Sequence, residues 1–265
     1  MFNIKFYEFL SSNLGSENEG KFLAVDSQGK VVAASGSTTN QVIYIGNTAP
    51  TDSFYQFWLD TSTAPEYQRV EYVVAEGSQY LDLGFNPTNN LSFYIDAKIT
   101  QTPSTQVCFA GAYETTDTPR FAYRVSGTKY AILWGTLAEI SGNLPSGGAI
   151  TDRRVYSLHD GSFYYGSSLL TTPSTQTFTV NQTLSVLCNH SADSYARWIY
   201  ANVYDIILTD SNKSFHFVPC YRLSDNVIGF YDMEENICPQ TNTPFWTSFG
   251  NPFVTKGPNV ANGLI

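Results

Sequence analysis

Beyond Arg69 the chain is a succession of short apolar runs set apart by Gly, Pro, Asn and Thr: RVEYVVAE, SQYLDLGF, LSFYIDAKIT, QVCFAGAYE, RFAYRV, YAILWGT, RRVYSLHDG, SFYYGSSLL, QTFTVNQTLSVLCN, YARWIYANVYDIILTD, FHFVPCYRL and VIGFYD. Runs of this kind predict strands, and strands at this spacing predict a sandwich or barrel. Upstream, KFLAVDSQGKVVAAS (21–35) reads as two short strands around a turn at Asp26, Gln28 and Gly29, and QVIYIG (41–46) reads as another. FYQFWLDTS follows, its Tyr55, Phe57 and Leu59 alternating with Gln56, Trp58 and Asp60. TSTAPEY (61–67) surrounds Pro65 with small polar residues just before a new pattern begins, which predicts a domain boundary there.

The first fourteen residues place Phe2, Phe6, Phe9 and Leu10 at helical spacing, although Ile4 and Tyr7 also suit the two faces of a strand. With Leu14, this segment is too apolar for a free tail and predicts an anchor that docks on a partner. The expected organisation is an anchor over 1–20, a small β spacer over 21–66 and one large sandwich over 67–265.

Composition sharpens the class. Aromatics make up 15% of the chain and charged residues only 14%, which favours pleated, half-buried strands over helices. A formal net charge of −9 with 14 Lys and Arg leaves no basic face for phosphates, so no nucleic-acid partner is expected. No apolar run reaches the length of a membrane span, and Glu8 interrupts the N-terminal apolar stretch, so neither a transmembrane helix nor a secretory signal is expected. Asn90, Asn181, Asn189 and Asn212 head glycosylation sequons, to which no role is assigned without a secretion signal. Cys108, Cys188, Cys220 and Cys238 lie far apart in apolar contexts, with no C-x-x-C spacing. They predict buried free thiols, and folding in a reducing cytoplasm.

VEYVVAEGSQYLDLGFNPTNNLSFYIDAKIT resembles the opening of the concanavalin A-like, laminin-G-like sandwich of phage fibre and bacterial surface proteins. SFHFVPCYRLSDNVIGFYDMEENICPQTNTPFWTSFGNPFVTKGP resembles the closing segment of the same family. GKFLAVDSQGKVVAAS and IGNTAPTDSFYQFWLDTSTAP are similar to short elements of virion fibre and tail proteins. The resemblance implies an all-β, concanavalin A-like jelly roll on a phage particle, a head fibre or decoration protein that folds in the host cytoplasm. It implies attachment to a capsid or other virion protein through the N-terminus, assembly as a homotrimer, and adhesion to a host-surface glycan. A tail-tip receptor-binding protein, a bacterial surface adhesin and a glycan depolymerase are the alternatives.

The chemistry points away from catalysis. Glycoside hydrolysis needs paired carboxylates, and no Glu-x-Asp-x-x-Glu triplet occurs; Glu71 and Glu76 fall on opposite faces of a regular strand. Asp232, Glu234 and Glu235 read as solvated turn residues, and His159, His190 and His216 are isolated, with His216 expected on a strand facing solvent or a hydrogen-bonding neighbour. No cofactor is expected beyond calcium, for which Asp193, Asp205, Asp210 and Asp225 near strand ends are the candidate oxygen ligands. Sugar binding needs an exposed ring with polar neighbours, and Trp134, Trp198, Tyr113 and Tyr164 are the candidates.

Overall fold

The computed structural model describes residues 22–25, 31–34, 43–46, 57–60, 66–115, 118–145, 150–192 and 194–265. The chain divides into two compact units, Met1–Pro65 and Glu66–Ile265. No helix occurs among the described residues. In the first unit β1 (Phe22–Val25) pairs antiparallel with β2 (Val31–Ala34) and with β3 (Ile43–Gly46), which pairs parallel with β4 (Phe57–Asp60). The hairpin read in KFLAVDSQGKVVAAS and the two strands after it are therefore present. The anchor residues Phe2, Ile4, Phe6, Tyr7, Phe9, Leu10 and Leu14 lie outside the described residues.

The second unit is a two-sheet sandwich. Its strands begin with β5 (Tyr67–Val70), β6 (Val73–Glu76), β7 (Leu81–Asp82) and β8 (Ser92–Ile99). Next come β9 (Val107–Tyr113), β10 (Arg120–Ser126), β11 (Lys129–Gly135), β12 (Ile140–Asn143), β13 (Arg153–His159), β14 (Ser162–Tyr165) and β15 (Ser168–Thr171). The short β16 (Ser185–Val186), β17 (Asn189–Ser191) and β18 (Ser194–Ala196) precede β19 (Tyr200–Asp210) and β20 (Lys213–Arg222). β21 (Ile228–Asp232), β22 (Phe245–Trp246) and β23 (Asn259–Leu264) close the chain. The smaller sheet runs β12-β11-β10-β9-β16-β7, with β17 and β18 beside β9. The larger runs β15-β14-β13-β8-β19-β20-β21-β22, with β6 on β19 and β5 and β23 beyond β20. Apart from β17 on β9, every strand pair of the sandwich is antiparallel, as expected of a jelly roll.

Alternation decides which face is buried. In β8 the side chains of Phe93, Ile95, Ala97 and Ile99 point inward while Tyr94 and Lys98 face out. The facing layer supplies Phe109, Phe121, Tyr123 and Trp134, so the core is largely aromatic. Phe109 stacks on Tyr156 at 3.7 Å, and Trp134 meets Phe178 edge-on at 4.9 Å. Tyr123 buries its ring and donates its hydroxyl to the Tyr164 carbonyl at 2.9 Å. Pro219 sits inside β20 where the strand's neighbour changes from β19, last paired at Phe217, to β5, first paired at Cys220. The missing N–H therefore falls at a break in the ladder.

Two expectations are corrected here. QTFTVNQTLSVLCN is not one long strand; it holds Ser185–Val186, a bridge at Thr179 and the first residue of β17, Asn189. Val180 and Leu184 donate their N–H groups to the carbonyls of Pro87 and Phe85, and Leu83 and Asn89 donate to those of Leu184 and Phe178, so this stretch is irregularly paired, antiparallel, with residues 83–89. Asp232 is not a solvated turn residue. It is fully buried and accepts from the N–H groups of His216 and Glu234 and from Asn236 Nδ2 at 2.9, 3.1 and 2.7 Å.

All four cysteines are free and buried, as read from their contexts. Burial pushes the thiols of Cys108 and Cys220 up to about 11 and about 12 and raises Cys188 further. Almost no thiolate therefore exists at about pH 8. A thiol reagent is expected to leave the native protein unmodified over minutes and to react with all four cysteines in denaturant; fast reaction of the native chain would contradict this burial. Among the described residues the Glu66–Ile265 core is continuous, and Tyr67 and Ile265 are bonded main chain to main chain at 3.1 and 2.9 Å. A fragment starting at Glu66 is expected to be soluble, with a β-type far-UV spectrum and one cooperative melt; aggregation of the fragment would contradict its independence.

Candidate functional site

A shallow groove of about 660 Å³ crosses the outward face of the larger sheet. Its floor is set by register. On β8, Tyr94 lies opposite Ser157 of β13 on one side and Ile207 of β19 on the other, and Ser92 lies opposite Thr209. Tyr94 is 37% exposed, on a strand whose alternate residues are core. Burial, then the nearby Asp96 and Asp205 carboxylates, push its phenol up, so it stays protonated and can donate a hydrogen bond at neutral pH.

One end of the groove has an aromatic wall. β13 and β14 are joined by Asp160 and Gly161, both at positive φ (50° and 67°), the geometry a two-residue hairpin needs. This tight turn sets His159 diagonally across from Tyr164, and the rings stack at 4.2 Å with planes 3° apart. His159 lines the groove and Tyr164 backs it.

A charged row runs along the same sheet face beyond Tyr94. Arg153 grips Asp96 with Nε at 3.0 and 3.1 Å and Nη2 at 2.7 Å, while its guanidinium lies 3.7 Å above the Tyr204 ring. The hydrogen bond to Asp96 holds the Arg153 pKa above its usual value. Asp205 meets His216 Nε2 at 3.1 Å, and burial raises its carboxyl pKa against the pull of His216. The groove thus offers a ring and an aliphatic side chain for an apolar ligand face. Around these lie the hydroxyls of Ser92, Ser157 and Thr209 for polar groups.

Of the ring residues singled out by sequence, none lines this groove, and Tyr164 reaches it only through its stack on His159. Trp134 is 3% exposed, because alternation along YAILWGT sends Tyr130, Ile132 and Trp134 inward, and it cannot serve as an exposed platform. Tyr113 is half-buried on the outward side of the smaller sheet, 5.4 Å from the Arg124 guanidinium. Trp198 is half-buried with Nε1 enclosed and unpartnered. His216 stands on a strand beside a hydrogen-bonding neighbour, as read.

The proposed calcium ligands are not brought together. Asp193 lies outside the described residues, Asp205 is bonded to His216, and Asp225 is held by Arg222 at 2.6 Å. Asp210 is buried and accepts from Thr88 N and Oγ1, both at 2.6 Å. Among the described residues no group of three or more His, Cys, Asp or Glu is arranged to hold a metal ion. Sequence reasoning missed Tyr94, His159 and the Arg153–Asp96 pair. The signal for Tyr94 was an aromatic ring on the polar parity of LSFYIDAKIT; the stack at His159 depends on a hairpin turn.

No family model matches the chain, and no curated protein does. Among solved structures it is similar to the CBM40 domain of the Ruminococcus gnavus IT-sialidase, at 10% identity and a TM-score of 0.38 over 53% of this chain and 89% of that one. The same domain bound to α2,3-sialyllactose matches at 9% identity and a TM-score of 0.38, again over 53% and 89%. A leech intramolecular trans-sialidase complexed with 2,7-anhydro-Neu5Ac matches at 12% identity and a TM-score of 0.37, over 57% of this chain and 27% of that one. At these values no ligand or activity passes from those proteins to this chain.

Proposed function

We propose that this chain is a non-catalytic glycan-binding protein whose sandwich holds a saccharide in the groove of the larger sheet. The observation that carries the reading is Tyr94, an exposed ring set between Ser157 and Ile207 on a rigid sheet floor, with Ser92 and Thr209 alongside. A sugar presents an apolar C–H face and a rim of hydroxyls, and the ring and the polar groups of the groove complement the two. Asp96 is already taken up by Arg153, which suits a structural part better than an acid or base in hydrolysis. The test is a glycan array probed with the full chain and with Tyr94→Ala. Binding of a defined glycan that the variant loses supports the reading; an array with no hit, or hits the variant retains, overturns it.

The order of an apolar N-terminal segment, a small β unit and a sandwich supports display of this module on a phage particle as a head fibre. In this reading residues 1–20 attach to a capsid or other virion protein, in three copies. Deleting residues 1–20 is expected to abolish incorporation into particles while the sandwich stays folded. Normal incorporation of the truncated chain would sink the virion attachment and leave the glycan reading standing.

A further inference from the structure

We propose that the outward face of the smaller sheet carries a second binding site, one for a carboxylate group, built on Arg124 with Arg197 beside it. Arg124 stands on β10 opposite Cys108 and Ala131, with its side chain only 5% exposed. For a buried charge it is poorly satisfied. Nη2 donates to Asn189 Oδ1 at 3.1 Å, but Nη1 reaches Gln106 Oε1 only at 3.5 Å and Glu139 Oε2 only at 3.8 Å. Its Nε–H is enclosed with no partner. Asn189 is 1% exposed; its Oδ1 is taken up by Arg124 and Cys108, while its Nδ2 is also enclosed without an acceptor.

A buried donor left without a partner is costly, more so when it is charged, so neighbouring orphaned donors ask for an acceptor. The same protein builds tight arginine pairs elsewhere, with Arg153 at 2.7 Å from Asp96 and Arg222 at 2.6 Å from Asp225. Against those, the contact between Arg124 and Glu139 is loose. Glu139 is 40% exposed on its side chain, and its other oxygen accepts only a long bond from Gln106 Nε2, at 3.5 Å.

Arg197 adds a second positive charge. Its backbone is held at a φ of 59°, and its carbonyl accepts the Cys108 N–H at 2.7 Å. Cys108 is also the residue that Arg124 faces across the β9–β10 ladder, so the two arginines' main chains meet at Cys108. Among the described residues no side-chain hydrogen bond or ion pair engages the Arg197 guanidinium. A carboxylate has two coplanar oxygens and no donors, and it matches a guanidinium fork. Glu139 occupies the entry loosely, and an incoming carboxylate displaces it towards solvent. This site is separate from the groove on the larger sheet and does not depend on it.

The test follows the Arg124 Nε–H signal by NMR while the full chain is titrated with glucuronate, acetate or glucose. Glucuronate and acetate are expected to move the signal, and glucose is not. Glu139→Gln should tighten carboxylate binding several-fold, and Arg197→Gln should weaken it by about tenfold. Arg124→Lys keeps the charge without the fork and should abolish binding; if that variant does not fold, the Glu139 and Arg197 variants decide. Tighter binding of glucuronate than of acetate marks an acidic sugar as the ligand, and equal binding marks a free carboxylate. A signal unmoved by either carboxylate, or affinities unchanged in Glu139→Gln and Arg197→Gln, would overturn the proposal.

Discussion

Replacing Trp134 by alanine is expected to lower the stability of the sandwich by about 3–5 kcal/mol, the range for deleting a large buried aromatic side chain. The ring is enclosed by Phe121, Phe163 and Phe178, with centroids 6.3, 5.6 and 4.9 Å away. Close-packed interiors relax only partly around a deleted side chain, so much of the cavity remains. Trp134→Phe keeps most of the buried area and should lose less. Denaturant melts of the three proteins check the order. A Trp134→Ala protein as stable as the parent, with its binding changed instead, would return this residue to the surface and contradict the packing.

Asp232→Ala is expected to be comparably damaging, by about 3–5 kcal/mol, for a different reason. The carboxylate is wholly buried at the end of β21, where it collects two main-chain N–H groups and the Asn236 amide. Alanine removes the acceptor of both main-chain N–H groups and of one Asn236 Nδ2 hydrogen. Asn236 Nδ2 also donates to the Ser214 carbonyl at 2.7 Å, so the Asp232 network ties the turn after β21 to β20. Asp232→Asn should be intermediate, since its carbonyl oxygen can still accept while its NH₂ opposes the amide of Asn236. Thermal melts at neutral pH measure this, and an Asp232→Ala melt within a degree or two of the parent would show that the network is dispensable.

Most of the fold was legible in the chain because alternation is a local signal with a single physical cause. Runs such as LSFYIDAKIT and YANVYDIILTD became β8 and β19, paired along most of their length. The stretch over 178–184 departs from a regular strand because its main-chain bonds to residues 83–89 are interrupted, and alternation does not distinguish such irregular pairing from a continuous ladder. Asp232 was misread because an Asp-containing turn looks the same in sequence whether the carboxylate meets water or folds back on its own N–H groups. The candidate site was scarcely legible. A groove floor needs three strands in register, and Ser92, Ser157 and Thr209 converge only through pairings across 63 to 117 residues of chain. Trp134 is a core residue for a related reason: a composition rich in rings says that many must be core, and parity within a strand decides which.

The central claim is that Tyr94 and the His159–Tyr164 wall hold a saccharide. The most direct measurement is the affinity of the full chain for a glycan identified on the array, compared among Tyr94→Ala, Tyr164→Ala and Tyr200→Ala. Tyr200 is a control of similar exposure, 40% against 37% for Tyr94, at the far end of β19 where it pairs with Glu76. Losses of about tenfold for Tyr94→Ala and a smaller loss for Tyr164→Ala are predicted, with Tyr200→Ala unchanged. Equal affinities for the parent and the Tyr94 variant, or a loss confined to Tyr200→Ala, would contradict the assignment of the groove.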